Sequence, residues 1–221
     1  MGSSTLALRA EAGHTATRPD EFLPRGQAAG TLLEAVHRRA DRLLVGTIWL
    51  LWAASLLAGW RYGAIGPSLA VGLPLSVAAS LWAAALPGRL GTRLATAAIS
   101  MAMVGLLIHQ ARGQAEYHFA VFVLLSVLLA YRDFRPILLA AGLIAVHHLS
   151  FNYFQTWGWG VICFTEPGLG IVLLHAAFVV VQTAVLVVLA HRIEADARSA
   201  GELAALAARI GSDPGYLTLT P

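Results

Sequence analysis

The sequence predicts an all-α, polytopic membrane bundle of about six transmembrane helices, with both termini inside and the last helix prolonged into a cytoplasmic signalling helix. Three observations predict it. The chain is 57% hydrophobic and 12% charged, about half the charge of an ordinary soluble domain. Its charges are clustered in residues 1–42, in short groups between apolar runs, and after Ala190. The arginines also fall on alternate connections, the pattern that orients membrane helices.

Residues 1–30 are rich in Ala, Gly, Thr, Arg and Pro and read as a flexible cytoplasmic tail. No compact basic–apolar–small pattern opens the chain, so no cleaved signal peptide is expected. Residues 31–42 read as a short amphipathic helix, with Leu32, Leu33 and Val36 to one side. The transmembrane domain, 43–190, follows. Its apolar runs are 43–60, 64–86, 94–111, 118–131, 136–155 and 168–190. At 1.5 Å per residue, about 20 residues cross a hydrocarbon core of about 30 Å. The fourth run reaches that length only with Tyr117 and His118 in the interface, so five spans is the alternative count. The second run carries Pro67 near its start and Pro74 inside.

Arg38, Arg39 and Arg42 precede the first run, Arg89 and Arg93 separate the second from the third, and Arg132 and Arg135 separate the fourth from the fifth. Arg192 and Arg198 follow the sixth, whereas the opposite connections hold only Arg61 and Arg112. Both termini are therefore expected inside. Trp60, Tyr62, Tyr117, Tyr153, Phe154, Trp157 and Trp159 mark the outer interface. Residues 191–221 are charged and alanine-rich, with Ile193, Leu203, Leu206 and Ile210 as seam positions of a signalling helix. Asp213, Pro214 and Gly215 are expected to break it.

The net charge of +3 comes from arginine alone, since lysine is absent, and implies no nucleic-acid partner. The single cysteine, Cys163, excludes an intramolecular disulfide. No phosphate-cradling glycine loop, HExxH or GxSxG is present, so no enzyme is expected.

The histidines carry the chemistry. His14, His37 and His191 belong to the inner side and read as solvated or interfacial. His109, His118, His147, His148 and His175 come from four different helices and share one depth, the outer third of the membrane. Ionisable groups inside spans are expensive and by default mark function. Imidazole suits copper, zinc, nickel and iron. His109, His118, His147, His148, His175 and Glu116 are therefore candidate metal ligands. His147 and His148 lie about 100° apart around a helix, so they cannot approach one ion from the same direction, and one is left for a second ion or an outer-shell role. Gln182, Asn152 and Gln155 read as polar interhelical contacts. Cys163 in the outer loop would suit copper(I) but is weak as a lone cysteine.

The stretch IHQARGQAEYHFAVFVLLSVLLAYRDFRPILLAAGLIAVHHLSFNYFQ resembles the N-terminal membrane sensor region of some bacterial methyl-accepting chemotaxis proteins and diguanylate cyclases. The matching positions are His109, Gly113, Glu116, His118, Phe119, Tyr131, Asp133, Arg135, His147 and His148, then His175 and Gln182; Phe134 stands where tryptophan is expected. The resemblance covers about residues 43–195. It implies a dimeric receptor in the bacterial inner membrane, in contact with lipid. Its output domain would follow the last helix or come from a partner, with GYLTLTP ending inside a longer receptor.

Three functions are weighed. The first is a signal-input domain binding a transition metal, copper before zinc because copper tops the affinity order. The second is a haem b redox or gas sensor using His148 and His175 as axial ligands; the inner half lacks a second pair for electron transfer across the membrane. The third is a transporter, for which the inner half offers no ionisable path and no inverted repeat.

Overall fold

The computed structural model describes residues 25–212, which are helical with short connections and contain no strand. Helix α1 is Arg25–Tyr62, and α2 is Leu73–Ala85, entered through a π-helical segment at Ser68–Gly72. Helix α3 is Leu90–Gln110, and α4 is Ala115–Val127, ending in a 3₁₀ turn at Leu128–Tyr131. Helices α5 and α6 are Phe134–Thr156 and Leu169–Ser212. Five stretches are long and apolar enough to cross a membrane: Leu33–Tyr62, Ser68–Ala85, Leu90–Gln110, Phe134–Thr156 and Leu169–Ala207. Ala115–Tyr131 is a shorter apolar helix. The protein has the make-up of a membrane protein.

The apolar runs of the sequence form the bodies of these helices. Residues 31–42 continue into the first run as one helix, because no proline interrupts Arg25–Tyr62. At the other end α6 runs unbroken for 44 residues. The tail before Arg25, with His14, and the expected break at Asp213 lie outside the described residues. Pro74 is the second residue of α2. It has no N–H for the carbonyl one turn earlier, and the widened π turn at Ser68–Gly72 accommodates that loss. The turn is fixed by its neighbours. Trp52 Nε1 donates to the Ser68 carbonyl at 3.0 Å, Gln110 Nε2 donates to Ser68 Oγ at 2.6 Å, and Ser55 Oγ lies 2.8 Å from Ser68 Oγ.

Helix α3 is the axis of the bundle: 56% of its apolar span is buried, against 17% for α6. Met103, Val104 and Ile108 of α3 belong to one buried core with Leu44 and Ile48 of α1, Leu125 of α4 and Ile137 of α5. The outward faces are apolar as well, as with Leu50, Val123, Val146, Phe178 and Val181, which is what lipid rather than water requires.

A polar latch ties the end of the bundle where α3 and α5 begin. Asp41 of α1 accepts from the Gly88 backbone N–H at 2.6 Å and from the Tyr131 hydroxyl at 2.8 Å. Tyr131 also lies 2.8 Å from Thr96 Oγ1 on α3. Arg93 of α3 forms an ion pair with Asp133, with both side chains about nine-tenths buried, and its guanidinium stands 3.3 Å from His37 Nε2. Asp133 in turn caps α5 by accepting from the Arg135 N–H at 3.0 Å. The latch joins α1, the α2–α3 turn, α3, α4 and α5. Helix α6 contributes only the stacking of His191 on Phe134, with ring centroids 4.6 Å apart.

Candidate metal centre

Three of the five outer histidines meet. The rings of His118 on α4, His148 on α5 and His175 on α6 have centroid separations of 5.1 Å (His118–His175), 5.3 Å (His118–His148) and 5.9 Å (His148–His175). Each ring is held by its own helix. The Nδ1 atoms of His118 and His148 lie 3.0 Å from the carbonyls of Gln114 and Ile144, and that of His175 lies 2.9 Å from the carbonyl of Ile171. A carbonyl only accepts, so every Nδ1 carries the proton and every neutral Nε2 presents a bare lone pair. That is how outer-shell hydrogen bonds prepare histidine to bind metal. His118 Nε2 is fully buried and has no hydrogen-bond partner, an arrangement that costs about 1–3 kcal/mol when nothing satisfies it.

The fourth group comes from the loop between α5 and α6. Cys163 is fully buried, and one ligand atom from each of His118, His148 and Cys163 lies within 4.8 Å of the others. Burial pushes the Cys163 thiol up to about 12, so without a metal it stays protonated. Bonds of about 2.0–2.3 Å to a common zinc or copper ion would ask these donors to close by roughly 1 Å, within the reach of small side-chain rotations. Two imidazoles and a thiolate, with a third imidazole beside them, suit copper and zinc and do not suit calcium or magnesium.

The loop is strapped down by two residues that contribute no free donor of their own. Gln155 Oε1 accepts from the N–H groups of Cys163 at 2.8 Å and Phe164 at 3.1 Å, while its Nε2 donates to the Phe164 carbonyl at 2.6 Å. His109 Nδ1 accepts from the Ile162 N–H at 3.0 Å. Phe164 then stacks on His118, with centroids 5.5 Å apart and planes 16° off parallel. Gly113 makes this approach possible. It has φ +72°, and a Cβ there would lie 2.5 Å from the Phe164 carbonyl carbon.

No family model, curated protein or solved structure matches this chain.

The remaining candidates stand apart from the donor group. His109 at the end of α3 serves the loop. Glu116 is exposed in the first turn of α4. His147 turns toward α3, where its ring packs on Phe151 at 4.0 Å and fills the space left by Gly105; a Cβ at that glycine would lie 2.8 Å from His147 Nε2. The two adjacent rings point to different neighbours, His147 to Phe151 and Gly105, His148 to His118 and His175. His147 Nδ1 lies 3.4 Å from His148 Nδ1, an outer-shell position. Gln182 makes the interhelical contact expected of it, donating to Ser126 Oγ at 3.0 Å. Asn152 is buried with Oδ1 unpartnered.

Because Gln155 carries the strap, Gln155→Ala should weaken metal binding by about 10–100-fold, the usual cost of an outer-shell partner. The histidine helices would remain as they are. Competition against a chromophoric chelator measures the loss, and wild-type affinity in this variant would show that the loop holds itself.

Proposed function

We propose that this chain is the membrane-embedded sensory input domain of a bacterial receptor. It binds a transition metal, copper before zinc, at His118, His148 and Cys163, with His175 beside them as the group that brings α6 to the centre. The observation that carries this reading is the meeting of three buried side chains, His118, His148 and Cys163, with a ligand atom of each within 4.8 Å of the others and His118 Nε2 buried without a partner. Such a donor set has few uses other than a soft or borderline metal ion.

In this reading the chain crosses the inner membrane six times, counting Ala115–Tyr131 as the short span, with both ends in the cytoplasm. Metal binding needs donors from α4, α5 and the α5–α6 loop at once, with His175 of α6 packed against them, so it favours one arrangement of these helices over others. A ligand shifts a conformational equilibrium by that difference in affinity and by nothing else. The continuous α6 carries the change into residues 191–212, where Leu203, Leu206 and Ile210 are exposed and supply a seam for a second copy. An output domain, in the same chain or a partner, would read that change.

The deciding experiment is elemental analysis and an absorption spectrum of the protein purified in detergent, before and after loading with copper(I). One copper or zinc per chain, lost in His148→Ala, is the expected result. A Soret band would reassign the site to haem, and loaded protein holding no metal would end the reading.

A further inference from the structure

The same three histidines are closed to water and open to the bilayer. On the aqueous side the strapped loop, with Cys163 and Phe164 buried beneath it, covers the cluster. On the membrane side two cavities of about 510 Å³ each reach it. One lies between α4, α5 and α6, the other between α4 and α6. His118, His175 and Phe122 line both. The groove between α4, α5 and α6 follows α6 from His175 to Val187, about 18 Å along the helix axis.

We infer that this groove binds an isoprenoid quinol from the membrane, with its aromatic head at His175 and its tail along α5 and α6. Four features define the occupant. The groove's length and apolar lining call for a long chain. No Arg, Lys, Asp or Glu lines either cavity, and His148 and His175 sit eight and six residues inside their helix ends, about 9–12 Å deep. A charged lipid head would be costly there, so the head is neutral. His175 has its Nδ1 bound to the Ile171 carbonyl, so its Nε2 accepts and the head must donate, as a hydroxyl does and a quinone carbonyl does not. Finally, Phe122 lines the groove, and Phe164 stands edge-on to His175 at 5.6 Å, surfaces suited to an aromatic ring. His175 is half-buried and lies outside the compact donor group of His118, His148 and Cys163, so a metal there leaves it available.

The inference deepens the sensor reading by naming what reaches the site from the membrane, but it does not depend on the metal. The test uses the full chain in quinone-free phosphatidylcholine discs, equilibrated anaerobically with a decyl-substituted benzoquinol. Retained quinol is extracted after gel filtration and counted, and copper content is measured on the same samples. About one quinol per chain above protein-free discs is expected, with at least a tenfold loss in Ala145→Trp and in Ala184→Trp. Both variants fill the groove and leave the metal donors intact, and a wild-type gel-filtration profile and helical circular dichroism spectrum certify their fold whether or not copper binds. Wild-type retention in both filled variants would overturn the proposal, as would retention no higher than in empty discs or equal retention of decanol, which lacks the ring. Copper bound without quinol sinks this inference alone; quinol bound without copper sinks the metal centre alone.

Discussion

Replacing His118 by alanine should reduce copper(I) affinity by more than a hundred-fold, beyond the 10–100-fold typical of an outer-shell residue. His118 is the hub of the donor group. It is adjacent to His148, His175 and Phe164, and its Nε2 is the unpartnered buried nitrogen. His109→Ala, outside the donor group, should act only through the loop and cost about as much as Gln155→Ala. Titration of both variants against a chelator of known affinity separates the two roles. Equal losses in His118→Ala and His109→Ala would mean that the ion sits elsewhere.

Asp133→Ala is expected to destabilise the fold by about 3–5 kcal/mol, the penalty for leaving one member of a buried ion pair without its partner. Arg93 would keep only His37 as a polar side-chain neighbour within reach, and its Nε is already unpartnered. The N-cap of α5 would go too, a further cost of about 1 kcal/mol. Asp133→Asn keeps an acceptor for the cap and removes the charge, so it should fall between the two. Unfolding of the detergent-solubilised protein by a denaturing surfactant measures all three. A stability within 1 kcal/mol of wild type in Asp133→Ala would show that the ion pair contributes little, as exposed pairs do.

The helices were legible because the signal that specifies them is long and redundant. Each span repeats the same apolar message over some twenty residues, and the arginine clusters mark the turns. The site was legible in half. His118, His148 and His175 share a depth that can be counted from the helix ends, and the angle between neighbours separates His147 from His148. The position of Cys163 beside the histidines was not legible, for a physical reason. What carries it inward is a set of backbone hydrogen bonds to Gln155 and His109 and a glycine without a Cβ at position 113, and none of these has a period. Glu116 is close to His118 in sequence but exposed, because residues two apart on a helix differ by about 200° in direction. The latch likewise depends on Asp41, far from its partners in sequence, so Tyr131 and Asp133 stood out without revealing a task.

Helix α6 is fastened differently from the rest. The polar latch stitches α1, α3, α4 and α5 into one frame, while α6 packs on α1 and α5 chiefly through apolar side chains such as Leu186 and Ala190, adding one ring stack and the Gln182–Ser126 hydrogen bond. Mechanically it is a rod lying against a stiff block. Its 38 residues from His175 to Ser212 span about 55 Å, with no proline in them to act as a joint. In the sensor reading proposed above, this unjointed rod is what would carry a push or twist from one tip to the other along the frame.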